Sequence, residues 1–323
     1  MTATDPLDWS RVEVAVPTGR PTPGIRMAGF HYHDFVPVDL TMIPHPAITL
    51  LLDLSERGIV YHDPEGPVAG NAIIGLRAGA LRITGAGAGE VLQIRLSPTA
   101  AAAILRDTEM IGGTVTSLSQ LWGSATALTE RLRSTPSWDD RFALTSAFLR
   151  SRTSGKFAVA PEFVYAWDRI ARTRGNLRIE TISTETGWTR QRLWSHFRSR
   201  IGVSPKRVSE LVRFDHAAHL LAAGHSPADA AVEAGYVDQS HLHRRTKAIT
   251  DMTPPRIASA PWLAIDETAW PMDGLTIDRA TTACPTGAGD RGDLCGRRAA
   301  RAAQTMSRAG NVPSMRMASA VAR

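Results

Sequence analysis

The chain has 323 residues, of which 43% are hydrophobic and 21% charged, so wholesale disorder is excluded and about two folded domains are expected. No apolar run approaches the roughly 18 residues of a membrane span, and residues 1–9 lack the pattern of a signal peptide, which predicts a cytoplasmic protein without membrane contact. Only two cysteines occur, Cys284 and Cys295, which excludes a disulfide framework and a four-cysteine zinc site.

The net charge of +6 is unevenly distributed along the chain. Residues 1–150 carry 12 Lys and Arg against 15 Asp and Glu, whereas residues 177–256 carry 12 against 8. An acidic first half is therefore followed by a basic second half. Because Lys and Arg neutralise phosphates, this asymmetry favours a sensor or partner domain joined to a domain that binds a polyanion.

Residues 1–152 are predicted to form an α+β domain, with strands first and helices after. Short apolar stretches separated by Gly and Pro are typical of strands in a small barrel or sandwich. From Ser97-Pro98 onward the pattern favours helices, because Ser can cap a helix and Pro fits its first position. The predicted strands are Ala47–Leu54, Ala72–Leu76, Ala80–Thr84 and Val91–Leu96, and the predicted helices are Thr99–Asp107, Leu118–Leu132 and Trp138–Leu149.

Residues 153–260 are predicted to form an all-α domain of short helices. Apolar residues recur at helical spacing, and glycines stop each helix. A longer helix, 205–223, connects the two halves of this region. The other predicted helices are 163–174, 179–186, 190–201, 227–234 and 239–249.

An internal repeat is the most informative feature of the sequence. In each copy a short helix ends at glycine, at Gly187 and again at Gly235, and a bulky aromatic residue follows. Each copy then leads into a basic helix and closes on Ser-Pro or Thr-Pro. Two short helices joined by a tight turn are typical of the helix-turn-helix, whose second helix enters the major groove of DNA. The sequence therefore predicts two such units joined by the long helix.

Each predicted recognition helix has an apolar side and a polar side. Leu193 and Phe197 in the first helix, and Leu242 in the second, are expected to point inward. Gln can bond adenine and Arg guanine, while Arg198, Arg200, Arg245 and Lys247 are better suited to phosphates. The predicted DNA-binding residues are Arg190, Gln191, Arg192, Trp194, Ser195, Arg198, Gln239, Ser240, His241, Arg244, Arg245 and Lys247.

Two residues near these helices also have a structural interpretation. Trp194 fits a packing role beneath its helix as well as it fits contact with DNA. Asp238 would repel phosphate, so it is expected to cap the second recognition helix through the free N–H groups of the first turn.

The segment from Gly235 to Lys247, followed by Met252-Thr253-Pro254, resembles the signature of the AraC-type (arabinose-regulator) transcription factors. The resemblance covers roughly residues 163–257. It implies a regulator that binds double-stranded operator or promoter DNA through two recognition helices in successive major grooves. It further implies a small-molecule effector at the N-terminal domain, with RNA polymerase and a second copy of the chain as candidate partners.

Three positions depart from the pattern of this family. Thr246 stands where the family usually has Phe, and Asp251 where it usually has Gly, so the second unit is expected to be less tightly packed. Ser195 occupies a position where many relatives carry a long Arg or Lys, which argues against base contact there.

A cupin-like fold is expected for the N-terminal barrel, because the sensor domains of AraC-type regulators are often similar to cupins. His31 and His33, with His45 and His62 nearby, resemble cupin histidines. A catalytic cupin also needs a Glu three to five residues after the pair, but residues 36–38 are Val-Pro-Val. The sequence therefore predicts no metal site, no cofactor and no enzyme activity.

Two alternatives remain open alongside a nucleoid-associated regulator. One is a cupin-like metalloenzyme tethered to DNA, with the metal held by His31 and His33. The other is an architectural protein that binds DNA without sequence preference.

The tail, residues 273–323, is rich in Ala, Gly and Arg and is predicted to be disordered and basic.

Overall fold

A computed structural model describes residues 12–19, 22–33, 37–55, 58–77, 79–86, 89–105, 111–153, 159–260 and 263. The chain divides into two compact units, Met1–Asp278 and Arg279–Arg323. The second unit and the whole predicted tail lie outside the described residues. None of the described helices combines the length and apolar content that crossing a bilayer requires.

Ten strands form two antiparallel sheets in the first part of the chain. The six-stranded sheet has the order β1-β2-β9-β4-β7-β10, and the four-stranded sheet the order β3-β8-β5-β6. The strands are β1 (Val12–Ala15), β2 (Ile25–Tyr32), β3 (Pro37–Met42), β4 (Ile48–Asp53), β5 (Ile59–Asp63), β6 (Gly66–Ala69), β7 (Ala72–Ile74), β8 (Leu81–Ala86), β9 (Gly89–Leu96) and β10 (Val115–Ser117).

The central strands of the larger sheet are buried on both faces. In β4, Leu50 and Leu52 belong to the main core shared with the helices, while Leu51 between them belongs to a core shared with the smaller sheet. In β7, Ile73 likewise belongs to the main core and Ile74 to the core shared with the smaller sheet. Because side chains alternate between the faces of a strand, continuous apolar runs are needed where both faces are covered. All four predicted strands are confirmed, and they include these buried runs.

Eleven helices lie in the described part of the chain. In the N-terminal part nine strands precede the first helix, as predicted, but β10 lies between α1 and α2. The helices after residue 160 include both predicted helix-turn-helix units. The helices are α1 (Pro98–Ile104), α2 (Leu118–Leu121), α3 (Ala125–Arg133), α4 (Trp138–Arg152), α5 (Pro161–Arg172), α6 (Ile179–Thr186), α7 (Arg190–Ile201), α8 (Pro205–Ala222), α9 (Pro227–Glu233), α10 (Gln239–Thr250) and α11 (Pro254–Ala258).

Several predicted boundaries are wrong. Helix α1 begins as predicted, with the Ser97 hydroxyl accepting from the Ala100 N–H, but it ends at Ile104 because Leu105 is extended. The predicted helix 118–132 is interrupted after Leu121, and Arg174 lies outside α5 with a left-handed backbone. The last predicted helix is 239–249, but Pro254-Pro255 begin a further helix, α11, since the first turn of a helix does not need those N–H groups.

The main hydrophobic core extends from the larger sheet into the first helix-turn-helix unit. Leu50 and Ile94 belong to the same buried cluster as Phe163, Leu193 and Phe197. The second unit has its own cluster, in which Leu242 and Ile257 pack together and to which Ile43 of the N-terminal part also belongs. Both units are therefore packed against the strand-rich part of the chain.

Gly112 and Gly202 mark a close backbone contact between that part and the first unit. A Cβ built on Gly202 would lie 2.0 Å from the Gly112 Cα, and one built on Gly112 would lie 2.9 Å from the Gly202 Cα. Nearby in the chain, an Arg207 guanidinium N–H donates to the Arg77 carbonyl at 3.2 Å. The start of α8 and the end of α7 are thus fixed to loops of the strand-rich part.

Candidate nucleic-acid interface

The first unit consists of α6, a turn at Gly187, and α7. Gly187 adopts a left-handed backbone with φ 67°, which ends α6. The Thr189 hydroxyl accepts from the Arg192 N–H at 3.1 Å and caps α7. Leu193 and Phe197 are fully buried, as predicted, and Phe197 packs edge-on against Phe163 with ring centres 4.8 Å apart. These contacts fix which side of α7 faces outward.

The second unit, α9 and α10, repeats this arrangement. Tyr236 after Gly235 is buried like Trp188 after Gly187, and Leu242 is fully buried. The Asp238 carboxylate accepts from the His241 N–H at 2.6 Å, so the predicted cap of α10 is confirmed. Asp251 ends the helix with φ 58°, the conformation that Gly202 adopts at the end of α7.

The polar side of each helix is open to solvent. Trp194 is 50% exposed, which does not fit a role as a packing residue beneath α7. His241 is half-buried, with its ring edge-on to Tyr236 at 5.4 Å. The other predicted DNA-binding residues are exposed: Arg190, Gln191, Arg192, Ser195, Arg198, Gln239, Ser240, Arg244, Arg245 and Lys247.

Four of the predicted arginines have partners within the protein. Arg192 lies over the Trp188 ring at 4.8 Å, and Arg198 lies over the Trp194 ring at 5.1 Å. Arg190 pairs with Glu180 at 3.2 Å, and Arg245 lies 3.8 Å from Glu210. All four arginines are exposed, so the two ion pairs contribute little to stability and the arginines can exchange these partners for phosphate.

A groove of about 540 Å³ separates the two units and is bordered by both recognition helices. Arg190 and Trp194 line it from the first unit, and His241 and Arg245 line it from the second. One edge of each recognition helix therefore faces the same groove, and the other predicted DNA-binding residues do not line it. The groove is also lined by residues that sequence reasoning did not select, because they lie outside the repeat's second helices: Arg178, Glu180, Lys206, Glu210 and Arg213.

A buried histidine lies in α8, the helix that joins the units. His216 is 8% exposed, and its Nε2 accepts from the Arg174 guanidinium at 2.7 Å. Burial, and next the positive charge of Arg174, lower the pKa of His216 to about 4, although Glu233 acts in the opposite direction. The imidazole is therefore neutral near pH 7.

This low pKa predicts loss of stability in mild acid. Below its ordinary pKa of 6.5, His216 takes up a proton in the unfolded chain but not in the folded one. We expect the free energy of unfolding to fall between pH 6.5 and about 4, by up to about 1.4 kcal/mol per pH unit. Urea titrations at several pH values should give a shallower dependence for His216→Gln. Parallel curves for the two proteins would contradict this assignment.

Thr246, one of the positions that depart from the family pattern, has a consequence for stability. It is fully buried, and its hydroxyl has no hydrogen-bond partner among the described residues. The neighbouring Thr250 hydroxyl, in contrast, donates to the Thr246 carbonyl at 2.7 Å and accepts from the Met252 N–H at 3.1 Å.

We expect Thr246→Val to raise the free energy of unfolding by about 1 kcal/mol, since it removes a polar group that is buried without a partner. Thr250→Val is the matched control, and it should lower the same quantity by about 1 to 2 kcal/mol. Urea unfolding of both variants measures the difference. An equal loss of stability in both would show that the Thr246 hydroxyl does have a partner.

Comparison with known proteins supports this description of the helical region. Residues 182–259 match a family described as a helix-turn-helix domain. Among curated proteins, the uncharacterized HTH-type transcriptional regulator YbfI of Bacillus subtilis (strain 168) is 36% identical over 67 residues. This match covers 21% of the present chain and 24% of YbfI, so the likeness spans about a quarter of that relative's length.

Two solved structures also align with most of the chain. ToxT from Vibrio cholerae has a TM-score of 0.44 at 13% identity, over 74% of this chain and 98% of its own. The AraC-like transcriptional activator CuxR has a TM-score of 0.24 at 14% identity, over 61% of this chain and 83% of its own.

Proposed function

We propose that this chain, which carries a helix-turn-helix domain of the AraC type, is a sequence-specific DNA-binding transcription regulator. The observation that carries the proposal is the position of α7 and α10, whose polar sides border one groove while their apolar sides are buried. Two recognition helices that border the same groove can enter successive major grooves on one side of a duplex.

In this proposal each of the two helices contacts both base edges and the phosphate backbone. Gln191 and Gln239 suit adenine, and Arg190 and Arg244 suit guanine. Arg192, Arg198, Arg245 and Lys247 supply phosphate contacts, which give affinity without sequence preference. Trp194, Ser195, Ser240 and His241 complete the proposed surface.

The strand-rich part, residues 1–152, is the proposed regulatory region. It is joined to the proposed DNA-binding region, residues 153–260. Its main core continues into the first unit, so a change in the packing of the larger sheet would alter the position of α7. An effector that binds one arrangement better than another would shift the population toward that arrangement. A small molecule, RNA polymerase and a second copy of the chain are the proposed partners, in a cytoplasmic, nucleoid-associated protein without enzyme activity.

Removal of one phosphate contact tests whether the polar side of α10 faces DNA. We expect Lys247→Ala to weaken binding to all duplex sequences and to reduce the salt slope of log K by about 0.9. Fluorescence anisotropy of the full chain on a labelled duplex, measured between about 50 and 300 mM salt, gives this slope.

The matched control is Arg82→Gln, which removes an exposed positive charge from β8 of the smaller sheet. This variant should keep the slope of the unchanged protein. If Arg82→Gln lowers the slope as much as Lys247→Ala does, the basic side of α10 is not a DNA contact and the proposal fails.

A further inference from the structure

A cluster of three metal-ligating side chains lies on the larger sheet, far along the chain from the recognition helices. Glu13 lies in β1, His31 lies in β2, and His33 follows directly after that strand. One ligand atom from each lies within 4.8 Å of the other two. We propose that Glu13, His31 and His33 bind a divalent transition-metal ion of the Zn²⁺ class.

Strand register brings the three residues together. Glu13 and His31 are directly opposite each other in the antiparallel pair β1–β2, so their side chains lie on the same face. His33 is two residues beyond His31 and returns to that face, because side chains alternate along a strand. The cluster therefore follows from the pairing of the strands and not from one flexible segment.

The observed distances suit a small ion with nitrogen and oxygen ligands. Glu13 Oε1 lies 2.9 Å from His33 Nε2, and Glu13 Oε2 lies 3.7 Å from His31 Nδ1. Ligand atoms about 2.0 to 2.1 Å from a tetrahedral Zn²⁺ are separated by about 3.3 Å. The imidazole centres are 4.1 Å apart, so small side-chain rotations would bring all three ligand atoms to that spacing.

The surroundings of the cluster limit both its ligands and its chemistry. Glu90 is opposite His31 on the other side of β2, but its carboxylate is bound by the buried Arg141 at 2.8 Å. Among the described residues the site therefore has three protein ligands. They are partly exposed, with side-chain exposures of 71%, 35% and 47% for Glu13, His31 and His33. Water or a small anion would complete the coordination.

The donor set selects among metals. Ca²⁺ and Mg²⁺ are bound almost wholly by oxygen, whereas imidazole nitrogen suits Zn²⁺, Ni²⁺ and Cu²⁺. Two imidazoles and one carboxylate form a known zinc ligand set. The sequence has no Glu three to five residues after the histidine pair, but the structure provides Glu13 from the preceding strand.

Zinc titration of the full chain tests the proposal. The chelator-treated protein is titrated with Zn²⁺ alone in a calorimeter, and its melting temperature is measured with and without the ion. We expect one tight site that His31→Gln, His33→Gln and Glu13→Gln each weaken at least about tenfold, with loss of the rise in melting temperature. These side chains are exposed, so the metal-free variants should melt like the unchanged protein.

His62→Gln is the matched control, since it removes an exposed histidine from β5 of the other sheet. It should bind Zn²⁺ as the unchanged protein does. The proposal is overturned if all these proteins bind Zn²⁺ with the same affinity and stoichiometry, or if Glu13→Gln alone among the three variants keeps full affinity.

Discussion

Gly202→Ala should lower the free energy of unfolding by about 3 kcal/mol. The new Cβ would lie 2.0 Å from the Gly112 Cα, so a backbone segment must move. The left-handed φ of 73° adds a further cost of about 1 kcal/mol for any L side chain. Relief of the clash would separate the first unit from the strand-rich part.

Gly187→Ala separates these two causes. Gly187 has nearly the same backbone, with φ 67°, and also ends a helix of the first unit, but beyond its chain neighbours no described atom lies within 4 Å of its Cβ position. Gly187→Ala should lower the free energy of unfolding by only about 1 kcal/mol. Urea unfolding of the two variants gives the difference directly. If both lose the same stability, the contact between Gly112 and Gly202 does not hold the two parts together.

Arg244→Ala should weaken binding to the preferred DNA sequence by about 1 to 3 kcal/mol, roughly 5-fold to 150-fold, and relax discrimination at one base pair. Arg244 is exposed on α10 and forms no ion pair with the described residues, so its guanidinium is available for a guanine edge. The adjacent Arg245, in contrast, lies 3.8 Å from Glu210.

Competition binding with single-base variants of the preferred site measures this effect. Lys247→Ala provides the contrast, because it should weaken binding to every sequence by a similar factor. Uniform weakening by Arg244→Ala would assign Arg244 to phosphate and not to a base. No change at all would show that α10 is not a recognition helix.

Much of the helical region could be predicted because its signals are local. The turns at Gly187 and Gly235, the cap at Asp238, and the inward Leu193 and Leu242 each depend on residues within one or two helical turns. The interruption of the helix after Leu121 was missed, since its apolar pattern continues through the break. The break does have a local signal, since Gly123 and Ser124 form the turn between α2 and α3.

The groove and the metal-ligating cluster could not be predicted, since both depend on contacts between distant parts of the chain. Glu210 of α8 comes close to Arg245 only when α8 and α10 are packed together. Glu13 and His31 are 18 residues apart, and only the pairing of β1 with β2 places them opposite each other. Strand β1 itself has four residues and gives no strong pattern in the sequence.

The central claim, that two recognition helices read DNA together, is tested most directly by selecting bound sequences from random duplex DNA. The full chain is required, because a cut at residue 153 would expose the core that Phe163 and Leu193 share with the larger sheet. At about 150 mM salt, where non-specific binding is weak, we predict two enriched sequence blocks about one helical turn apart. A single enriched block, or no enrichment, would contradict the claim.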